Sequence, residues 1–142
     1  MPPWSALAEG EQGSVIRVDA LEASKSVDVR GYARGTVPLF KTVGDRDSDQ
    51  KRCMGYGSLA PDHVIEVPKN VSRLMLQLKT RSQDTTLVVA GPNNQLYCAD
   101  DSLKGDKDAG IVLTNVRAGR YNVWVGAFES GTGFRYTLNI EL

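Results

Sequence analysis

The last nine residues of the chain alternate strictly between apolar and polar side chains, and this pattern constrains the fold more than any other. In "FRYTLNIEL" (134–142) the apolar positions are Phe134, Tyr136, Leu138, Ile140 and Leu142. Successive side chains of a β-strand point to opposite faces, so these residues share one face and the polar residues share the other. The pattern predicts a strand that is buried on one side and exposed to solvent on the other.

The same period-two pattern recurs along the chain in short segments that are separated by turn residues. The segment "RYNVWVGAF" (120–128) alternates, and "ESGTG" joins it to the C-terminal strand as a hairpin. Residues 18–26 could form a helical turn or two, and no segment has a convincing helical periodicity. Eight or nine short strands joined by glycine, proline and asparagine turns predict an all-β fold, either an antiparallel β-sandwich or a barrel. The other predicted strands are 14–18, 25–31, 63–67, 72–79, 84–91, 95–99 and 110–116.

Length and charge limit the number of domains and the kinds of partner. A chain of 142 residues fits one domain, and we predict a single sandwich at 13–142, preceded by a flexible arm at 1–12. The least patterned segment, 31–60, is predicted to pass over one end of the sandwich. The 17 basic and 17 acidic residues cancel, which argues against binding to nucleic acid or anionic lipid. No apolar run approaches the roughly 18 to 20 residues that cross a bilayer.

The only histidine, His63, is the one obvious candidate for acid–base catalysis. It lies at the start of a predicted strand, and no GxSxG, HExxH or cysteine–base arrangement accompanies it. We interpret it as a structural hydrogen-bonding residue at the strand edge. The sequence therefore does not predict an enzyme.

Acidic residues are concentrated in "YCADDSLKGDKDAG" (97–110). Calcium is bound by six to eight oxygen atoms from carboxylates and carbonyls of flexible loops. Asp100 and Asp101 can supply two carboxylates, and Asp84, which opens the neighbouring strand, can supply a third. Two lysines in the same stretch can neutralise this charge without a metal, so a solvated turn is the alternative. Asp106 and Asp108 are interpreted as solvated turn residues.

A second acidic motif, "GDRDSDQ" (44–50), has the DxDxD spacing that opens an EF-hand loop. Its residues are Asp45, Asp47 and Asp49. The match then fails, because Gln50 replaces the turn glycine and Tyr56 replaces the bidentate glutamate. The motif is interpreted as a solvated loop.

Trp124 lies on the face of its strand opposite Tyr121 and Val123. It either packs in a second layer, which the sequence favours, or it is presented outward with Tyr97, Tyr56 or Trp4. Exposed aromatic rings on a β-sandwich can stack on sugar rings. Trp124, Tyr97 and Tyr56 are therefore the candidate ligand-binding residues.

The two cysteines, Cys53 and Cys98, have neither the spacing of a zinc site nor that of a thiol redox site. They are either two reduced buried thiols or one disulfide. A bridge would close a loop of about 46 residues and stabilise the fold by about 4 kcal/mol in the chain-entropy model. It would also indicate a location outside the reducing cytoplasm.

Four segments in order resemble the bacterial pre-peptidase C-terminal (PPC) domain and related secreted domains. They are "PDHVIEV", "DTTLVVAGPNNQLYCADD", "AGRYNVWVGAF" and "FRYTLNIEL", and they span 61–142. In that family, a strand beginning with Asp-Thr leads to a Gly-Pro turn and to a cysteine followed by two acidic residues. A Gly-x-Tyr-x-Val-Trp-Val-Gly strand comes next. Residues 1–50 match weakly.

The resemblance implies a jelly-roll-like β-sandwich that is exported from the cytoplasm and is not catalytic. It also implies that Cys53 pairs with Cys98, and it favours calcium binding by Asp84, Asp100 and Asp101. Such domains are commonly attached to secreted enzymes and assist secretion, stability or substrate attachment.

The sequence thus predicts a secreted module, extracellular or periplasmic, that binds a polysaccharide, a matrix or a partner protein. A first alternative is a structural subunit that assembles with copies of itself through residues 1–12 or a sheet edge. A second alternative is an accessory domain of a hydrolase.

Overall fold

The computed structural model describes residues 15–18, 26–100 and 107–142, which form two β-sheets packed face to face. This arrangement confirms the predicted all-β sandwich. The four-stranded sheet consists of β2 (Ser26–Ala33), β6 (Val71–Lys79), β9 (Gly110–Val116) and β11 (Phe134–Glu141). The seven-stranded sheet consists of β1 (Val15–Arg17), β3 (Val37–Pro38), β4 (Tyr56–Gly57), β5 (His63–Val67), β7 (Thr85–Ala90), β8 (Leu96–Ala99) and β10 (Gly119–Ala127).

All but one of the strand pairs in the described ranges are antiparallel. The four-stranded sheet has the order β2-β11-β6-β9, and β10 of the larger sheet pairs with β5, β7 and β4. The exception is β1, which runs parallel to β5 with Val15 opposite Val64. Parallel neighbours need a long crossover connection, and the whole chain between Val18 and Asp62 supplies it. The expectation of a wholly antiparallel sandwich is wrong at this pair.

The described residues contain eleven strands, more than the eight or nine expected, and one short helix, α1 (Leu39–Val43). The additional strands β3 and β4 have two residues each, too few to show a period-two pattern, and five residues are too few to show a helical one. Among the described residues no helix is long and apolar enough to cross a bilayer. The predicted arm at 1–12 and most of the suggested helical turn at 18–26 lie outside them.

The C-terminal strand is buried on the face that the alternation predicts. Phe134, Tyr136, Leu138 and Ile140 are at most 6% exposed and face the seven-stranded sheet. Their counterparts there are the inward side chains of β5, β7 and β10, such as Ile65. This apolar layer between the sheets is the main core.

The turn between β7 and β8 explains how "GPNN" reverses the chain. Asn93 and Asn94 both adopt left-handed backbone angles, with φ of 61° and 60°. Two such residues at the centre of a hairpin turn define type I′, which matches the twist of the flanking strands, and asparagine tolerates this conformation. The predicted Gly-Pro-Asn-Asn turn is confirmed.

A second apolar layer lies on the outward face of the seven-stranded sheet, under residues 39–55, which we call the cover segment. A Cβ atom at Gly126 would lie 2.9 Å from Cδ1 of Leu39, so the glycine lets the first residue of α1 rest against β10. Gly44 ends the helix with φ of 119°, an angle that favours glycine. The segment predicted to pass over one end of the sandwich instead lies across this face.

Candidate functional site

Cys53 and Cys98 form a disulfide that ties the cover segment to β8. Their Cα atoms are 5.1 Å apart, and both residues are buried in the second apolar layer. The pairing is the one that the PPC resemblance implies. It fixes a part of the chain that has little regular secondary structure of its own.

Asp47 is a structural residue of the cover segment and is only 5% exposed. Its Oδ1 atom accepts hydrogen bonds from the backbone N–H groups of Asp49 and Lys51, each at 2.8 Å. Its Oδ2 atom accepts one from the N–H of Cys98 at 2.9 Å. The carboxylate therefore satisfies three backbone donors at once and needs no metal ion.

The edge of β8 is capped by the residue that follows Asp47. The N–H of Ser48 donates to the carbonyl oxygen of Leu96 at 2.8 Å, and the N–H of Leu96 donates to Oγ of Ser48 at 3.0 Å. Asp45 and Asp49 are exposed, as a solvated loop requires. The solvated-loop interpretation is wrong for Asp47 because its side chain turns inward to the backbone of β8.

The three aromatic candidates do not form one surface. Trp124 is 7% exposed, packs in the second apolar layer, and donates from Nε1 to the carbonyl oxygen of Leu59 at 3.3 Å. Tyr97 packs against the core between the sheets. Tyr56 is paired with Ala127, a residue of that same core, so it lies on the inward side. The prediction of a shared outward patch is therefore wrong, and the favoured alternative of a second layer holds for Trp124.

A cleft of about 480 Å³ remains between α1 and the turn before β8, and Trp124 lines part of it. Its charged side chains are already engaged. The carboxylate of Asp47 holds three backbone groups, and Arg46 donates to the carbonyl oxygen of Gln50 at 2.9 Å. Thr42, Asn94 and Gln95 also line the cleft, so the hydrogen-bonding groups that it offers a ligand are mainly uncharged.

His63 lies in the main core and not at the strand edge that the sequence suggests. It is 0% exposed, and a hydrogen bond of 2.7 Å joins its Nε2 atom to the hydroxyl of Tyr136. Burial lowers the pKa of His63 from 6.5 to about 4. Burial, together with the Asp62 carboxylate, raises the pKa of Tyr136. The pair is therefore neutral near pH 7, and the imidazole cannot reach a substrate.

The predicted calcium ligands lie partly outside the described residues. Asp84 directly precedes β7 and Asp100 directly follows β8, and because these strands are antiparallel both residues lie at the same end of the sheet. Asp101 and Asp106 lie outside the described ranges. Within those ranges no group of three histidine, cysteine, aspartate or glutamate side chains could hold a metal ion. Calcium binding stays a prediction.

Asp108 is not the solvated turn residue that the sequence suggests. Its carboxylate accepts hydrogen bonds from the N–H of Thr80 at 2.9 Å and from the hydroxyl of Thr80 at 2.6 Å. The contact joins the chain before β9 to the end of β6. It is long-range in sequence, which is why local composition does not reveal it.

The outward face of the four-stranded sheet carries a set of basic side chains around one aromatic ring. Arg30 on β2 and Lys79 on β6 are both paired with Thr137 of β11, which stands between them, so they lie in one row across three strands. Two strand spacings separate them, which is roughly 10 Å. We call the set the basic face, and it comprises Arg30, Tyr32, Arg34, Lys79, Arg81 and Arg135.

Four of these cations line a groove of about 810 Å³, and among the described residues no acidic side chain lines it, although Asp108 bonds the lining residue Thr80. They are Arg30, Lys79, Arg81 and Arg135. In the part of the chain that the structure describes, none of the cations of the basic face is in a salt bridge. The acidic residues of the same outward face, Asp28 and Glu141, lie toward the opposite end of β2 and β11. The face therefore has a positive end.

Tyr32 is the exposed aromatic residue of this face, with 40% of its surface accessible. The guanidinium carbon of Arg34 is 5.6 Å from its ring centroid and that of Arg135 is 6.0 Å away. These are cation–π distances, so the two arginines help to hold the ring in place. The predicted strand 25–31 ends one residue before Tyr32, so Tyr32 was not among the predicted ligand-binding residues. The signal was the continued alternation of "VRGYAR".

The sequence matches no family model, and no curated protein matches it. Among solved structures it is similar to the pre-peptidase C-terminal domain of a collagenase from Bacillus anthracis, with a TM-score of 0.44, 12% identity and 90% and 95% of the two chains covered. That domain represents the family that the sequence resembles.

Two other solved structures are similar over nearly their whole length. One is PliG from Aeromonas hydrophila, a periplasmic inhibitor of g-type lysozyme, with a TM-score of 0.49, 12% identity and coverage of 89% and 94%. The other is CorA, a surface-associated copper-binding protein from Methylomicrobium album BG8, with a TM-score of 0.47, 12% identity and coverage of 92% and 98%. Similarity at this level assigns no function to the chain.

Proposed function

We propose that this protein is a non-catalytic secreted module that attaches to an acidic polysaccharide through the basic face. One observation carries the proposal. A chain with zero formal net charge collects five cations and one exposed aromatic ring at one end of an open sheet face. Such a local excess of one sign of charge creates a positive potential that attracts anionic ligands.

The side chains of the basic face suit carboxylated sugars. A planar guanidinium group binds a carboxylate through two parallel hydrogen bonds, and four of the five cations are arginines. An exposed tyrosine ring offers an apolar surface for the C–H face of a sugar ring. The groove takes its lining from β2, β6 and β11 and from the segment after β6, so an extended ligand can contact several strands at once.

The proposed location follows from the disulfide. Disulfides persist in oxidising compartments and are rare in the cytosol, so the Cys53–Cys98 bridge supports an extracellular or periplasmic protein. The absence of catalysis is part of the proposal because the only histidine is fully buried and hydrogen-bonded.

The test is calorimetric titration with polygalacturonate, and with a neutral glucan for comparison. Replacing both Arg30 and Arg135 with serine should weaken polygalacturonate binding by about 100-fold. This estimate takes a charged hydrogen bond as worth about 1.5 kcal/mol or more per arginine. The matched control is Arg120→Ser. It removes one positive charge, half of what the double variant loses, from an exposed position on the other sheet, where Arg120 lies 3.5 Å from Glu66, and it should leave binding unchanged.

Salt provides an independent readout of the same contacts. The logarithm of the binding constant should fall linearly with the logarithm of salt concentration, and the double variant should show a shallower slope. Equal loss of binding in the Arg120 control, or equal affinity for the neutral glucan, would contradict the proposal.

A further inference from the structure

Strand β9 is an edge strand without charge. Its seven residues, "GIVLTNV", contain no charged side chain and no proline. In the described part of the chain it pairs with β6 on one side and with no strand on the other. Sheet edges expose backbone donors and acceptors, and proteins usually guard them with charges, proline or a covering segment.

The other long edges of the sandwich are guarded in these ways. The edge of β8 is capped by Ser48, which bonds Leu96 in both directions, and by the carboxylate of Asp47. The edge strand β2 carries Asp28 and Arg30 among its outward side chains. Within the described ranges, β9 has neither kind of protection.

The side chains of β9 suit the addition of another strand. Ile111 and Leu113 point into the core, whereas Val112 is 37% exposed and Thr114 is exposed on the outward face. Branched side chains at both outward positions favour extended structure. The strand therefore presents an extended backbone edge as far as Thr114, and Asn115, which is exposed and has φ of 51°, departs from it.

We propose that β9 pairs antiparallel with β9 of a second copy of this chain, which joins two four-stranded sheets into one of eight strands. Two uncharged strands meet without like-charge repulsion, and the chain has zero formal net charge, so copies do not repel one another at long range. A self-complementary contact of this kind closes as a two-fold dimer and does not propagate into a fibre.

The dimer changes how the basic face meets a polymer, and this consequence rests on the proposed function. Antiparallel pairing in one sheet requires a two-fold axis perpendicular to that sheet, so both basic faces lie on the same side. Their positive ends are placed diagonally across the dimer. One long polyanion can then contact both faces, which raises its apparent affinity without any new type of contact.

Sedimentation equilibrium of the full chain tests the pairing directly. The wild-type protein should sediment as a dimer, and Val112→Lys should sediment as a monomer because a lysine from each copy would meet near the axis. Val112→Thr is the matched control, since it keeps a branched uncharged side chain, and it should remain a dimer. Circular dichroism and melting curves check that all three proteins fold.

Binding to polymers of different length separates this inference from the proposed function. Val112→Lys should weaken binding to long polygalacturonate by about 100-fold or more through loss of bivalence, although it adds a positive charge. Its affinity for a short oligogalacturonate should stay the same. If the wild-type protein is a monomer that still binds the short oligogalacturonate, the dimer is overturned and the proposed function stands. If it is a dimer that binds neither the short nor the long galacturonate, the proposed function is overturned and the dimer stands.

Two further outcomes would overturn the pairing of β9 with itself. One is a Val112→Lys protein that remains dimeric. The other is loss of the dimer when residues 1–12 are deleted, which would assign the edge to that segment instead.

Discussion

The two outward faces of the sandwich differ in solvent exposure, although each carries an aromatic residue at an outward strand position. Trp124 on the seven-stranded sheet is 7% exposed, whereas Tyr32 on the four-stranded sheet is 40% exposed. The difference comes from the cover segment, which lies over one face and leaves the other open. Strand alternation thus tells which way a ring points, and tertiary packing decides whether a ligand can reach it.

The chemistry of the two faces differs in the same way. The covered face is held by a disulfide, a buried carboxylate and an apolar layer that includes Leu39 and Val88. The open face holds cations that have no ion-pair partner among the described residues. We therefore expect changes on the covered face to alter stability and changes on the basic face to alter binding.

The largest expected effect on stability is loss of the disulfide. Replacing Cys53 and Cys98 with serine should lower the free energy of unfolding by about 4 kcal/mol, because the bridge closes a loop with a sequence separation of 45. Urea denaturation measures this change. In the folded fraction, affinity for polygalacturonate should equal that of the wild type. A fall in affinity as well would contradict the view that the covered face determines stability and the basic face determines binding.

Acid should destabilise the core, which supports both faces equally. The pKa of His63 is 6.5 in the unfolded chain and about 4 in the folded one, so between these values the unfolded state binds more protons. Stability is therefore full above pH 6.5 and falls by up to about 3 kcal/mol as the pH drops to 4. His63→Gln removes this titration and should flatten the dependence in urea denaturation at several pH values. An equally steep dependence in the variant would contradict this explanation.

Asp47→Ala should cost about 2 to 3 kcal/mol, because three backbone N–H groups lose their acceptor. Asp45→Ala is the matched control from the same motif. Its side chain is exposed, and its replacement should change stability by less than about 0.5 kcal/mol. Thermal unfolding monitored by circular dichroism measures both. Equal effects in the two variants would show that the motif acts as a solvated loop.

Calcium should have the smallest effect and should act on stability alone. If Asp84, Asp100 and Asp101 bind it, calcium at ten times its dissociation constant adds about 1.4 kcal/mol. The melting temperature should then rise with calcium and fall back with a chelator, while polygalacturonate binding by the basic face stays the same. An unchanged melting temperature would contradict calcium binding by these residues.

The strands were predictable because their signal is local. The alternation of "FRYTLNIEL" and the Asn-Asn turn each lie within a few residues, and the structure confirms both. The run "TTLVVA" also carries a local signal, which indicates a strand that is buried on both faces. Its continuous burial on both faces requires a cover on the outward side, and an unbroken apolar or β-branched run is the expected pattern.

The site was harder to predict because its contacts join distant segments. Asp47 and Cys98 are 51 residues apart, and no local period records that a carboxylate of a loop will reach an edge strand. The basic face combines residues from three strands, and its centre was missed because β2 runs two residues past its predicted end, to Ala33. Composition also concealed it, since a net charge of zero describes the whole chain and not one end of a sheet.

The most direct test of the account is a map of backbone amide shifts in ¹H–¹⁵N spectra during titration with a short oligogalacturonate. The account predicts saturable shifts in the ends of β2, β6 and β11 that carry Arg30, Lys79 and Arg135. It predicts no shifts in the cover segment or around Trp124. Shifts that concentrate in the cover segment and spare the basic face would contradict it.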